Sequence, residues 1–320
     1  MRRKEKILKK KGKALETTPK KKKRGSNKTT NFYDKYYKQL MIIPFLLLLF
    51  SIINISMLYS ETGDFFHKGI SLSGGITITL IDEDLVSSEL ETQLINEFEE
   101  YEVNVRTITD AGRNIGLIVE SNIDPDDEES DIFIDRVKEL TGISEANMSV
   151  ESVGSSLGEA FFRQTFIALL FAFLFMGIVV FAYFRSFIPS AAVILAAASN
   201  IIVTVAFLNI INFKLGTAGI AALLMLIGYS VDTDILLTTR LLKEKEGTIF
   251  ERLISAMKTG ITMTGTTLIA VTVAYIVADS QVLREIILVV MVGLVIDLIN
   301  TWLQNASILR WYIERRVEHD

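Results

Sequence analysis

The chain contains no cysteine, which excludes disulfides and thiolate metal sites. Only two histidines occur among its 320 residues, and His67 and His319 each stand alone, so a paired imidazole site is not expected. Nor is there a nucleophile–base pair, a metal-ligand spacing or a phosphate loop. No catalytic residue, metal or cofactor is therefore assigned, and an enzyme is not expected. The acidic tracts Asp82–Asp84 and Asp126–Glu129 read as solvated loops rather than calcium sites.

Charge is also missing from long stretches, and those stretches set the class. Half of the residues are hydrophobic, gathered into six blocks at about Leu40–Tyr59, Thr165–Phe184, Ile188–Ile211, Leu215–Thr238, Ile261–Ala278 and Val282–Leu303. About 20 apolar residues cross the hydrocarbon core of a bilayer as a helix. The expected fold is an α-helical polytopic membrane protein with six transmembrane helices. The first block has too long a polar lead, and too long a core, for a cleaved signal peptide.

The net charge of −5 hides a division. Met1–Arg24 carries thirteen Lys and Arg, whereas Ser60–Phe162 carries 24 acidic residues against 5 basic ones, a balance of −19. Positive charge is retained on the cytoplasmic side, where it also meets anionic lipid. Residues 1–39 are thus expected to be a basic, disordered cytoplasmic tail that contacts membrane lipids, not nucleic acid. Residues 40–59 form the first span, 60–162 an exocytoplasmic domain, 163–309 a five-helix bundle and 310–320 a cytoplasmic tail. Arg240, Lys243, Lys245, Arg252 and Lys258 fall on the inside under this count, with Arg310, Arg315 and Arg316.

The outer domain alternates its pattern. GGITITLI (Gly74–Ile81), VNVRTIT (Val103–Thr109), NIGLIVE (Asn114–Glu120) and MSVESV (Met148–Val153) read as strands, with a hairpin at DAGR (Asp110–Arg113). Leu90, Leu94, Phe98 and Tyr101 mark one helix, and Phe133, Val137 and Leu140 another that opens at Asp124-Pro125-Asp126. The order β-α-β-β-α-β predicts a ferredoxin-like α+β domain between spans one and two.

Inside the spans, LIGYSVDTDILLTTR (Leu226–Arg240) places Asp232 and Asp234 in apolar surroundings. An ionised carboxylate at the bilayer centre costs about 2.5–3.5 kcal/mol on insertion scales, so such residues point to function. The two lie about 200° apart on a helix and cannot share a face. Asp232 aligns with Gly228, and is expected in the bundle interior as the principal ionisable site. Asp234 aligns with Ser230 and Thr238, and is expected on a flank leading to water. Gly293, Asp297, Asn300 and Gln304 form a polar stripe on span six, while Thr259, Gly260, Thr262, Gly265 and Thr266 form a small polar face on span five. Asn200 and Thr204 sit on span three. Small and hydroxyl residues commonly serve as packing contacts between membrane helices. No Lys or Arg lies deep in any span, so Asp232, Asp234 and Asp297 are candidates for a proton relay.

These residues carry a resemblance. LIGYSVDTDILLTTR resembles the fourth-span signature of the SecD/SecF protein-export membrane proteins of the resistance-nodulation-division superfamily. GISLSGGITITL (Gly69–Leu80) and VGSSLGEAFFRQ (Val153–Gln164) resemble that family's segments leading into the outer domain and the second span. One outer domain of about 100 residues is similar to the SecF branch in its archaeal pattern. The resemblance implies a membrane subunit that acts with SecD beside the protein-conducting channel on exported preproteins. In the bacterial members, proton flow is coupled to movement of the outer domain. Two positions differ from that pattern: Asp232-Thr233 replaces Asn-Asp, and Ser71 replaces Asp. The alternative is a proton-coupled exporter of lipids or small molecules from the same superfamily, which normally carries two six-span halves.

Overall fold

The computed structural model describes residues 28–110, 113–244, 246–278 and 280–319. Most of the basic tail and the Ala111–Gly112 tip of the expected hairpin lie outside these residues. The chain divides into two units, Met1–Leu40, whose described part is helix α1 (Lys28–Leu40), and Met41–Asp320.

The second unit begins with α2 (Ile42–Thr62), which ends where Gly63 takes a left-handed conformation. A short helix α3 (Ile70–Ser73) leads into β1 (Gly75–Leu80), followed by α4 (Ser87–Glu97), β2 (Val103–Asp110), β3 (Arg113–Ser121), α5 (Glu128–Thr141) and β4 (Met148–Val153). The strands form one antiparallel sheet in the order β2-β3-β1-β4, with Ile78 opposite Val119 on one side and Val150 on the other. Alternation puts Ile76, Ile78, Leu80, Leu117 and Val119 on one face, where Leu90 and Leu94 of α4 and Phe133 and Val137 of α5 complete a core. Helix α4 stops before the expected Phe98 and Tyr101, which still pack on that core from the following turn. Arg136 grips both oxygens of Glu97, each at 2.6 Å, and so ties α5 to α4.

Among the described residues, five helices are long and apolar enough to cross a membrane. They are the helix ending at Thr62 and α6 (Ser155–Phe184), α7 (Phe187–Ile210), α8 (Thr217–Leu242) and α9 (Ile249–Val277). Helix α6 starts ten residues before the expected span, and α9 starts twelve before its own, where Thr248 and Glu251 form a reciprocal capping box. The expected sixth span is helical as well, as α10 (Gln281–Ile299), a π segment (Asn300–Asn305) and α11 (Ala306–His319). It stands apart from the five because α10 carries three charged residues, Arg284, Glu285 and Asp297. Helices α7, α8 and α10 make the buried centre, with Val193, Ala197, Leu226, Val289 and Val290 in its core. Phe171, Phe175 and Ile178 of α6 and Ile269, Val273 and Ile276 of α9 are exposed apolar residues, as a lipid-facing surface requires.

The sheet domain is joined to the helical bundle by close backbone contact. Gly74 is left-handed (φ 85°), and a Cβ there would lie 2.4 Å from the Ser155 Cα. A Cβ on Gly158 would lie 2.7 Å from the Gly74 nitrogen. The motifs GISLSGG and VGSSLG therefore pack against each other, although their starts, Gly69 and Val153, lie 84 positions apart in the sequence.

Asp124 secures the same corner. It accepts the Ser155 hydroxyl and, at 3.3 Å, the Ser155 N–H, at the first turn of α6. The Ser155 hydroxyl, then the N–H groups of Asp126 and Ser155, hold the Asp124 carboxyl below the usual carboxylate range. A lowered folded-state value gives stability that is complete above the unfolded value of about 3.9 and is lost as pH falls through the folded one. Asp124→Asn is thus expected to melt below wild type at neutral pH. The two melting curves should converge as the pH is taken below the carboxylate range; a difference independent of pH would contradict this.

Candidate functional site

Ser230, Asp234 and Thr238 recur every four residues along α8 and all point into the bundle, where Asp234 has no exposed surface. Opposite them α10 brings Asp297, 1% exposed, and the π segment brings Thr301 and Asn305, both fully buried. Asp297 Oδ1 accepts the Ser230 hydroxyl at 2.5 Å and the Asn200 amide at 3.4 Å. Asp234 Oδ1 accepts the Asn305 amide at 2.7 Å. The Thr301 hydroxyl lies 3.0 Å from Asp234 Oδ1 and 3.4 Å from Asp297 Oδ1. One hydroxyl proton serves only one acceptor at a time, so the two carboxylates compete for it. Each Oδ2 is buried without a hydrogen-bond partner, and no Lys or Arg among the described residues pairs with either group.

This placement corrects the expected one. Asp232 is exposed on the far side of α8, and Asp234 occupies the interior. The reason is the company each face keeps. The Asp234 face carries Ser230 and Thr238 toward Asp297, while the Asp232 face carries Gly228, which is exposed and has nothing within 4 Å of a Cβ position.

The other expected members divide in the same way. Gln304 donates to Ser199 at 3.1 Å, and Asn300 is buried with neither amide atom partnered. Thr204 turns its hydroxyl to the Asn200 carbonyl of its own helix at 2.7 Å. Thr262 and Thr266 lie outside the buried seam: both are exposed, bonded to the carbonyls of Lys258 and Met263 at 2.8 Å. Gly293 marks a close passage of α10 over α8, since a Cβ there would fall 2.1 Å from the Leu226 side chain.

Thr301, Asn305 and Ser199 were not expected in the site. An α-helix turns about 40° beyond a full circle every four residues, so Asp297, Thr301 and Asn305 would drift apart. The π segment widens each turn and brings them onto Asp234, and such segments recur at functional sites. Nothing in the residue pattern announces a π turn.

Residues 133–315 match the family described as "Protein export membrane protein SecD/SecF, C-terminal". Curated relatives named protein-export membrane protein SecF include one from Methanolacinia petrolearia, 39% identical over 87% of this chain and 94% of its own length. Another is from Pyrococcus furiosus, 39% identical over 87% of this chain and 92% of its own. A third is from Methanocaldococcus jannaschii, 38% identical over 87% and 96%. Among solved structures, SecDF from Thermus thermophilus, described as a translocon-associated membrane protein, superposes with a TM-score of 0.69 at 18% identity. The superposition covers 91% of this chain and 39% of that one, so this chain spans well under half the length of that solved protein.

Proposed function

The chain belongs to the SecD/SecF family of protein-export membrane proteins, and from that premise we propose that it is a membrane subunit of the protein-export machinery driven by proton exchange at Asp234 and Asp297. It works with SecD beside the protein-conducting channel and promotes the late movement and release of exported preproteins. The observation that carries the mechanism is the buried carboxylate pair, which has neutral donors and no Lys or Arg paired with it among the described residues. Two ionised carboxylates so placed repel strongly in a low-dielectric interior, and such a pair titrates as one unit. One proton more or less therefore changes which partners Thr301, Ser230 and Asn305 can serve. That change biases the packing of α8 against α10, and a ligand shifts a two-state equilibrium only through such a difference.

In this reading α10, the π segment and the start of α11 form the sixth span, and the outer sheet with its two helices is a ferredoxin-like domain. The exposed Asp232, Gly228, Thr262 and Thr266 serve packing against the partner subunit, because polar groups in lipid need satisfaction from protein. Co-purification from native membranes tests the assembly: SecD and this chain are expected together, and a stable solitary chain would refute it.

Orientation follows from the charge division: both termini cytoplasmic, residues 60–162 outside. Protease added to sealed vesicles of right-side-out orientation is expected to cut near Pro125, and to leave both tails intact until the membrane is opened. Protection of the Pro125 region would overturn the orientation.

A further inference from the structure

A half-buried carboxylate stands at the other end of the same two helices. Glu285, in the first turns of α10, places Oε1 2.7 Å from the Gly216 nitrogen and 2.9 Å from the Gly219 nitrogen, accepting both N–H groups. These are free donors at the start of α8, whose next N–H, from Thr217, is accepted by the Ser71 hydroxyl at 2.9 Å. A helix start offers unpaired N–H groups and a positive dipole end, so a carboxylate is the natural side chain to occupy it. The glycines are required by the contact: a Cβ on Gly219 would sit 2.6 Å from Glu285 Oε1, and one on Gly216 would sit 2.8 Å from Ser71 Oγ.

The segment carrying Ser71 leads into the outer domain, and it holds the loop before α8 at two further points. Leu215 N–H donates to the His67 carbonyl at 2.7 Å, and Gly69 N–H donates to the Leu215 carbonyl at 2.9 Å, a single parallel bridge. Beside it Lys214 reaches Glu120 of β3 at 3.0 Å, and Arg106 of β2 bonds the other oxygen of Glu120. The outer domain, α8 and α10 thus meet at one node. From Gly219 to Asp234, and from Glu285 to Asp297, the helices run about 22 and 18 Å at 1.5 Å per residue. A relative shift of α8 and α10 at the carboxylate pair arrives at this node along two stiff rods.

We propose that this node is a releasable latch: Glu285 and Ser71, seated on the N–H groups that open α8, hold the outer domain against the two carboxylate-bearing helices and let go during each working stroke. The latch rests on the function proposed above, but its test is separate. Its bonds are side-chain contacts, two of them ion pairs to Glu120, and one isolated backbone bridge, whereas the Gly74–Gly158 contact nearby is backbone on backbone. The node is therefore the joint that can open while the corner at Ser155 stays closed.

Because the chain has no cysteine of its own, a pair introduced at Ser71→Cys and Thr217→Cys has no competing thiol within this chain when it is oxidised and reduced in the assembled complex. Oxidation is expected to slow export at least about tenfold, and reduction to restore the rate of Ser71→Cys alone. Equal export by the oxidised and reduced forms would show a static joint and overturn the proposal. Hydrogen exchange on the complex gives a second reading that needs no cross-link. Glu285→Ala is expected to speed exchange at residues 215–220 about tenfold or more and Glu285→Gln to do so less, with the outer sheet unchanged. No change at those amides, or an equal rise throughout the chain, would count against the latch. Proton coupling is judged apart, by Asp234→Asn: wild-type export in that variant, together with arrest by the disulfide, would remove the coupling and keep the latch.

Discussion

Asp234→Asn is expected to slow export by at least about tenfold, a loss of about 1.4 kcal/mol at the limiting step, while Asp232→Asn stays within about twofold of wild type. Asparagine has the shape of aspartate and can still accept the Asn305 and Thr301 hydrogen bonds at Oδ1, so packing at the site is preserved. What it cannot do is gain or lose a proton. Asp297→Asn should match Asp234→Asn, since Thr301 stands within 3.4 Å of both. The double variant should then be no worse than either single one, because groups acting as a unit give strongly non-additive losses. Export rates in vesicles carrying the whole machinery, normalised to the amount of assembled complex, provide the measurement. Wild-type rates for both single variants would leave the carboxylates as structural polar groups.

The second large effect separates two glycines that look alike in VGSSLG. Gly158→Ala is expected to cost about 1–3 kcal/mol, and Gly158→Val more, because the added Cβ meets backbone atoms of Gly74 and Leu72 that have no rotamer to change. Gly154→Ala should stay within about 0.5 kcal/mol, as its Cβ enters open space and its φ of −62° suits any residue. The loss at Gly158 should appear as a lower melting temperature and as release of the sheet domain from α6. Protease sensitivity near Gly74 reads that release directly. Equal tolerance at the two glycines would show that the Gly74–Gly158 contact does not hold the domain.

The residue pattern revealed the elements better than their faces. The Ile-Thr alternation of GGITITLI is β1, and Leu90 with Leu94 does mark a buried helix stripe, because burial on one side imposes a period that survives in sequence. Spacing likewise fixed that Asp232 and Asp234 lie on opposite sides of one helix. It could not decide which side is inward, and the small residue Gly228 drew the assignment to the wrong face. The better signal was Ser230 and Thr238 beside Asp234, since a run of hydroxyls in lipid needs protein partners. Thr301 and Asn305 were hidden by the π segment, which shifts the stripe expected through Asn300. Glu285 was hidden for a different reason: its partners are backbone N–H groups, which leave no residue-type signature.

Release of a translocating preprotein from vesicles, timed with a proton gradient imposed and then collapsed, tests the central claim most directly. The account predicts that wild-type release slows when the gradient is collapsed, and that Asp234→Asn releases slowly in both conditions with no response to the gradient. An Asp234→Asn complex that responds to the gradient as wild type does would contradict it.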